Sequence, residues 1–210
     1  MVYKIKTVYK LTSPDVLSSM MLIPREEFVP SDLKDMSYDD RAVSIGFGQT
    51  ISQPYTVAFM TNLVISNAKK TADKKLGKIL EVGTGSGYQA AILSRLAKEV
   101  YTVEIIPQLA IVAKKTLKKL GFNNVHVRVA SGERGWKLHL PYDAIIVTAG
   151  IKDKVPEALF NQLKEGGVLV APIGSDEDMV MTRFTKKRNG KFKKEEFGIF
   201  HFVPFVEEKD

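Results

Sequence analysis

The spacing of apolar residues changes character along this chain. From about Lys78 onward, short β-branched and aliphatic runs alternate with segments whose apolar residues recur every three or four positions. That alternation predicts a parallel sheet wound with helices on both faces. Residues 79–82 predict the first strand, 88–98 a helix, and 100–103 a second strand that ends in Glu104. Pro107 stands where a helix can begin; Leu109, Val112, Ala113, Leu117 and Leu120 keep helical spacing, and Gly121 supplies the stop. Residues 125–129 predict a third strand and 143–148 a central fourth, apolar on both faces. A helix is expected over 155–163, ended by Gly166 and Gly167 before a strand at 168–171. Residues 179–187, the turn Arg188, Asn189, Gly190, and residues 192–202 then predict an antiparallel hairpin appended to the parallel sheet.

The N-terminal third stands outside this alternation. Ser13, Pro14 and Asp15 read as a capped helix start, with the helix ending near Pro24. A second helix begins at Pro54 and places Val57, Met60, Val64 and Ala68 on its buried face. Between them, 25–53 is irregular and rich in Gly, Pro, Ser and Asp; a stretch of that length predicts a lid or substrate arm. The expected fold is therefore a doubly wound, Rossmann-like α/β domain spanning 1–210. Within it, 1–77 form an N-terminal substrate-binding extension, 78–175 a cofactor-binding core, and 176–210 the C-terminal hairpin.

The densest chemical signal is the passage from strand to helix at Gly83, Thr84, Gly85, Ser86, Gly87 and Tyr88. Glycines at this spacing let the backbone approach a ligand closely, and the following helix offers unpaired N–H groups. Glu104, about 20 residues past the first glycine, is placed to accept hydrogen bonds from the vicinal hydroxyls of an adenosine ribose. The spacing is not the dinucleotide fingerprint, because bulky Tyr88 occupies the position where that motif needs a small residue. No lysine follows to neutralise a triphosphate. An adenosine ligand without phosphate, S-adenosylmethionine, fits best.

Composition narrows the picture further. The chain has 210 residues, 44% of them hydrophobic, enough for one domain with an ample core. No apolar run approaches a membrane span and no secretory leader is evident, so a cytoplasmic protein is expected. The absence of cysteine suits a reducing compartment and removes thiolate chemistry. The three histidines, His126, His139 and His201, lack ligand spacing, and no metal is expected. Net charge is +7, with clusters such as Lys69-Lys70, Lys74-Lys75, Lys114-Lys115 and Lys118-Lys119. Such clusters can track a phosphate backbone, but most fall at helix ends or turns among acidic residues and read more readily as solvated surface.

Several segments together resemble the protein-L-isoaspartate O-methyltransferase family. They are Pro24-Arg25-Glu26-Glu27-Phe28-Val29-Pro30, Tyr38-Asp39-Asp40, the run from Ile45 through Gly48-Gln49-Thr50-Ile51-Ser52-Gln53-Pro54, the glycine loop, Gly135-Trp136, Pro141-Tyr142-Asp143, and Phe202-Val203-Pro204-Phe205. The resemblance covers residues 14–206. It implies methyl transfer from S-adenosylmethionine, leaving S-adenosylhomocysteine, to the free α-carboxylate of isoaspartyl residues in damaged proteins and peptides; the ester then favours return to a normal aspartyl linkage. It implies Ser52 as the catalytic residue, and Thr50, Ile51, Ser52, Val203 and Pro204 as substrate-binding. Cofactor contacts are expected from Glu81, Gly83, Thr84, Gly85, Gly87, Glu104, Ser131 and Gly132. One departure stands out: where the family usually has an Asp-Gly pair meeting the adenine, this chain reads Ala130-Ser131-Gly132-Glu133. Ser131 lacks the charge of that acid, and Glu133 is a second candidate for its role.

The expected chemistry is modest in its demands. A carboxylate is ionised at neutral pH and a sulfonium methyl is already activated, so positioning carries the reaction. From the residues alone, Ser52 reads equally as a hydroxyl that orients the acceptor or as a cap on the helix starting at Pro54; the resemblance implies the first. The alternative enzyme, a nucleic-acid methyltransferase of the same fold, would need an Asn-Pro-Pro-aromatic loop or a cysteine nucleophile. The chain has Thr148-Ala149-Gly150-Ile151 and no cysteine. The expected partners are thus damaged proteins or peptides, with neither nucleic acid nor membrane.

Overall fold

A strand buried on both faces organises the molecule. The computed structural model describes residues 1–67, 75–175 and 178–206. In chain order its elements are α1 (Val2–Thr7), α2 (Pro14–Leu22), β1 (Val43–Gly46), β2 (Gln49–Ile51), α3 (Pro54–Asn67), β3 (Leu76–Val82), α4 (Tyr88–Leu96), β4 (Ala97–Glu104), α5 (Pro107–Lys119), β5 (Val125–Val129), β6 (Tyr142–Val147), α6 (Glu157–Asn161), β7 (Leu163–Gly174), β8 (Met179–Lys186) and β9 (Phe192–Phe200). The main sheet has the order β5-β4-β3-β6-β7-β8-β9. Its first five strands run parallel, and β8 and β9 add an antiparallel hairpin. This is the α/β architecture expected from the alternation, with the N-terminal helices and arm added at one end.

Side chains alternate across the sheet, so the two faces build separate apolar layers. Ile79, Val100, Ala144, Ile146, Val168 and Val170 face the helices α1 to α4 in one continuous core. Leu80, Val82, Val103, Ile145, Val147 and Leu169 face the other way, where α6 with Trp136 and Phe205 supplies the cover. Val57, Met60 and Val64 of α3 are buried as expected. Ala68 and the lysines at 69, 70 and 74 lie outside the described residues.

Several boundaries differ from those the sequence suggests. β3 and β4 begin at Leu76 and Ala97, because these two fully buried residues pair with each other at the start of the parallel ladder. That pairing ends α4 at Leu96. Gly166 and Gly167 do not terminate a long helix; α6 is short, and both glycines lie inside β7, where the ladder with β6 shifts register between Tyr142 and Ala144. A Cβ on Gly167 would stand 2.8 Å from the Lys164 carbonyl oxygen, so this irregularity needs glycine. Inside the arm, β1 and β2 form an unanticipated hairpin around Phe47, itself at φ +55°.

Asp143, at the start of β6, fastens the neighbouring strands. Its Oδ2 accepts the Lys78 N–H at 2.7 Å and its Oδ1 accepts the Lys164 ammonium at 2.7 Å. A Cβ on Gly77 would come within 2.5 Å of that carboxylate, so the glycine makes room for the contact. Asp143→Ala is expected to lower the unfolding free energy by about 1–3 kcal/mol. The measure is a lower urea midpoint with unchanged slope.

Candidate active site

Parallel pairing brings three strand ends to one edge of the sheet, with Val82 opposite both Val103 and Val147. β3 has β4 on one side and β6 on the other, so the chain reverses its winding direction here. Ligands in open α/β sheets bind in the crevice at such a point. The segments leaving these strands, together with the arm and the C-terminal tail, enclose a solvent-open cleft of about 870 Å³.

The glycine loop forms one wall. Gly83, Gly85 and Gly87 adopt φ values of +98°, +52° and +89°. Gly83 and Thr84 donate their N–H groups to the Val103 carbonyl, at 2.9 and 3.2 Å, which bends the chain sharply off β3. A Cβ on Gly83 would lie 2.4 Å from the Thr148 hydroxyl oxygen. That hydroxyl donates to the Gly83 carbonyl at 2.6 Å, tying the loop to the end of β6. Tyr88, which broke the dinucleotide pattern, is 1% exposed at the start of α4 and packs edge-on against Phe28.

Glu104 lines the cleft beside the loop. Its Oε2 accepts the Gly85 N–H at 2.8 Å and its Oε1 accepts the Ile106 N–H at 3.0 Å. The carboxylate thereby sets the position of the loop as well as facing the ligand space. Glu81 behaves differently. It is fully buried beneath the loop and does not line the cleft. Its Oε2 accepts from the Thr102 hydroxyl at 2.5 Å, and Thr102 lies 2.6 Å from the hydroxyl of Thr84, which does line it. Burial, opposed by the Thr102 hydrogen bond and reinforced by the nearby Glu104 charge, pushes the Glu81 carboxyl up to about 8.

Other sequence-predicted residues divide in the same way. Gly132 lines the cleft; a Cβ there would meet Val82 Cγ1 at 2.4 Å and the Phe205 ring at 3.0 Å. Ser131 is buried beside it, with its hydroxyl accepting the Glu133 N–H at 3.4 Å, and is not part of the lining. Thr50, Ile51, Ser52, Val203 and Pro204 all reach the cleft. The tail carrying the last two is held by a bridge to the loop after β6: Gly150 donates to Val203 at 2.8 Å and Phe205 donates to Gly150 at 2.9 Å. A second groove, floored by Tyr9, Tyr55, Phe59 and Phe200, joins the cleft through Thr50, Ser52, Thr148 and Val203.

Phe205, in the tail segment that the resemblance assigns to the substrate backbone, lines the cleft, and so does Thr148, which escaped the sequence reading of the site. The position of Thr148 just past a central strand was the available signal. Trp136 lies away from the cleft, edge-on to Tyr101 and His139 on the outer face.

The sequence profile of the protein-L-isoaspartate(D-aspartate) O-methyltransferase family matches residues 1–210. The protein-L-isoaspartate O-methyltransferase of Opitutus terrae is 46% identical over 199 residues, which cover 95% of this chain and 82% of that protein. The one from Dictyoglomus turgidum is 47% identical over 194 residues, covering 92% and 84%. A solved protein-L-isoaspartate O-methyltransferase superposes with a TM-score of 0.83 at 29% identity, covering 99% of this chain and 66% of that one. A Plasmodium falciparum structure described under the same enzyme name, in complex with S-adenosyl-L-homocysteine, shares the fold with a TM-score of 0.82 at 24% identity, covering 99% and 97%. On this likeness along its whole length, the chain belongs to the protein-L-isoaspartate(D-aspartate) O-methyltransferase family.

Proposed function

We infer that this protein methylates the free α-carboxylate of L-isoaspartyl residues in damaged proteins and peptides, using S-adenosylmethionine and releasing S-adenosylhomocysteine. The observation that carries the reading is that one cleft is lined both by the glycine loop with Glu104 and by Ser52 with the Val203-Pro204 tail. The lining fits the donor. Glu104 is its one charged side chain among the described residues, which suits a cationic ligand and leaves a phosphate chain without a counter-charge.

S-adenosylmethionine, when bound, supplies an activated methyl on sulfonium. In our reading, Gly83, Thr84 and Gly85 hold it by close backbone approach, with Gly132 towards the adenine; Gly87 and Ser131, outside the lining, act from behind, Gly87 by turning the chain into α4 and Ser131 beside Gly132. A carboxylate has about four acceptor sites. Glu104 uses one on each oxygen for backbone N–H groups, and the remainder are assigned to the ribose hydroxyls. Glu81 acts from below, through Thr102 and Thr84. Ser52 is assigned the catalytic role: its hydroxyl donates to the acceptor carboxylate and orients it without the full positive charge that would quench its nucleophilicity. Thr50, Ile51, Val203 and Pro204 hold the substrate backbone around it.

The same reading takes damaged protein as the partner and the cytoplasm as the location. Nucleic-acid binding would require Lys or Arg at the phosphates, and neither lines the cleft. No helix among the described residues is long and apolar enough to cross a membrane, and the chain has no cysteine.

Radiolabelled methyl from S-adenosylmethionine is expected to appear as a base-labile ester on an isoaspartyl peptide and not on its normal aspartyl isomer. Equal labelling of the two would refute the acceptor assignment, and labelling of tRNA alone would favour the nucleic-acid enzyme. Glu104→Gln should weaken S-adenosylhomocysteine binding by about 1–3 kcal/mol in titration calorimetry; unchanged affinity would remove the ribose assignment. Glu81 yields a pH dependence. Its folded pKa of about 8 lies above the ordinary 4.5, so the native state keeps a proton that the unfolded chain releases first. Its contribution to stability is complete below about pH 4.5 and declines as pH rises through about 8. In urea titrations between those limits, Glu81→Gln should show a flatter stability profile than the parent. Equal slopes would mean that Glu81 titrates normally.

A further inference from the structure

Arg25 opens a single 3-10 turn after Pro24, in a segment whose charged residues suggest surface, yet its side chain is fully buried. A guanidinium in that situation ordinarily faces a carboxylate. This one makes no ion pair among the described residues. The adjacent carboxylate, Glu26, instead accepts from the Tyr38 hydroxyl. Arg25 donates Nε to the Ser37 carbonyl at 2.6 Å and Nη2 to the Ser52 carbonyl at 2.7 Å. Its Cζ lies over the Tyr88 ring, 4.7 Å from the ring centre, and Nη1 has no hydrogen-bond partner among the described residues.

We propose that Arg25 is a positioning residue for methyl transfer, a rigid fork that holds the backbone of Ser52 in register with the helix leaving the glycine loop. The inference rests on the role given to Ser52 above. Three separate pieces of chain meet on this one side chain: the middle of the arm at Ser37, its cleft-lining end at Ser52, and the first residue of α4 at Tyr88. Tyr88 and Ser52 line the same cleft, so the guanidinium spans the donor and acceptor sides from behind. Burying an uncompensated cation costs stability, and an apolar side chain would fill the space without that cost. The fork geometry is what such a side chain lacks. Lysine is no substitute, because a point charge on a flexible stem cannot bridge two carbonyls and pack over a ring together.

Misplacing reacting groups by about 1 Å from a distance can cost around a hundredfold in rate. In the full-length protein, Arg25→Lys and Arg25→Met are each expected to lower kcat on an isoaspartyl peptide by about 10- to 100-fold. S-adenosylhomocysteine affinity, measured by calorimetry, should stay near the parent value. Wild-type kcat in either variant overturns the proposal. So does an equal fall in affinity and kcat, which would mean collapse of the cleft, and so does recovery in Arg25→Lys of the activity lost in Arg25→Met, which would make charge alone sufficient. If neither variant folds, the residue is structural and the proposal fails. Ser52→Ala, measured alongside, separates the two assignments. Loss of activity there with normal kcat in Arg25→Lys leaves Ser52 standing and removes Arg25. A silent Ser52→Ala with low kcat in the Arg25 variants removes the hydroxyl's role but keeps Arg25 as the residue that places the arm.

Discussion

The parallel register of β3 with β4 and β6 is the constraint on which the site depends. Because Val82 sits opposite Val103 on one side and Val147 on the other, three chain segments leave the sheet at the same level, and none can move along its strand without breaking a buried ladder. A parallel sheet of this kind is apolar on both faces, and β3 complies from Ile79 onward except at Glu81. The loop side of the cleft is attached to this frame through short hydrogen bonds to backbone groups: Gly83 and Thr84 to the Val103 carbonyl, the Thr148 hydroxyl to Gly83, and the Glu104 carboxylate to Gly85 and Ile106. The cleft is preformed because its walls are continuations of strands that have no freedom of their own.

Electrostatics then separates two tasks that share one small volume. The donor is a cation and the acceptor an anion, so a strong wall charge of either sign would favour one partner at the other's expense. The lining answers this with a single carboxylate, Glu104, already partly neutralised by two N–H groups, and with neutral donors elsewhere. Glu81 follows the same economy. Held protonated near neutrality by burial, it joins Thr102 and Thr84 without adding a second negative charge beneath the loop.

What the sequence disclosed follows from how local each signal is. The strand into Gly83, the glycine spacing, and Glu104 at the end of β4 are contiguous patterns with a period or a turn requirement, and they sit in the structure as read. Helix α5 is likewise bounded by Pro107 and Gly121 in sequence and runs from Pro107 to Lys119. Other features depend on partners far away in the chain. β4 begins early because Ala97 pairs with Leu76, and the paired glycines of β7 mark an irregular ladder instead of a helix end. The hairpin at β1 and β2 has strands of only four and three residues, too short for any alternation to announce it. Arg25 is the extreme case: its neighbours Glu26 and Glu27 are charged, and only tertiary contacts 12 and 27 residues away reveal that it is buried.

The arm resolves a conflict between accuracy and tolerance. A repair enzyme meets its target carboxylate in many sequence contexts, but in-line transfer requires that carboxylate in one place. The arm is anchored by two different means. Near the surface, Asp40 accepts from Lys4, Tyr9 and Gln53, at 2.8, 2.6 and 2.9 Å, binding the arm to α1 and to the entrance of α3. In the interior, Arg25 fixes the carbonyl of Ser52. Between these anchors the hairpin tip is left unpacked, with Phe47 58% exposed. The anchored part of the arm is therefore the part that lines the cleft at Ser52. The part without packing partners faces outward at Phe47, so on the proposed reading adaptation to varied surroundings does not have to be taken from the geometry at Ser52.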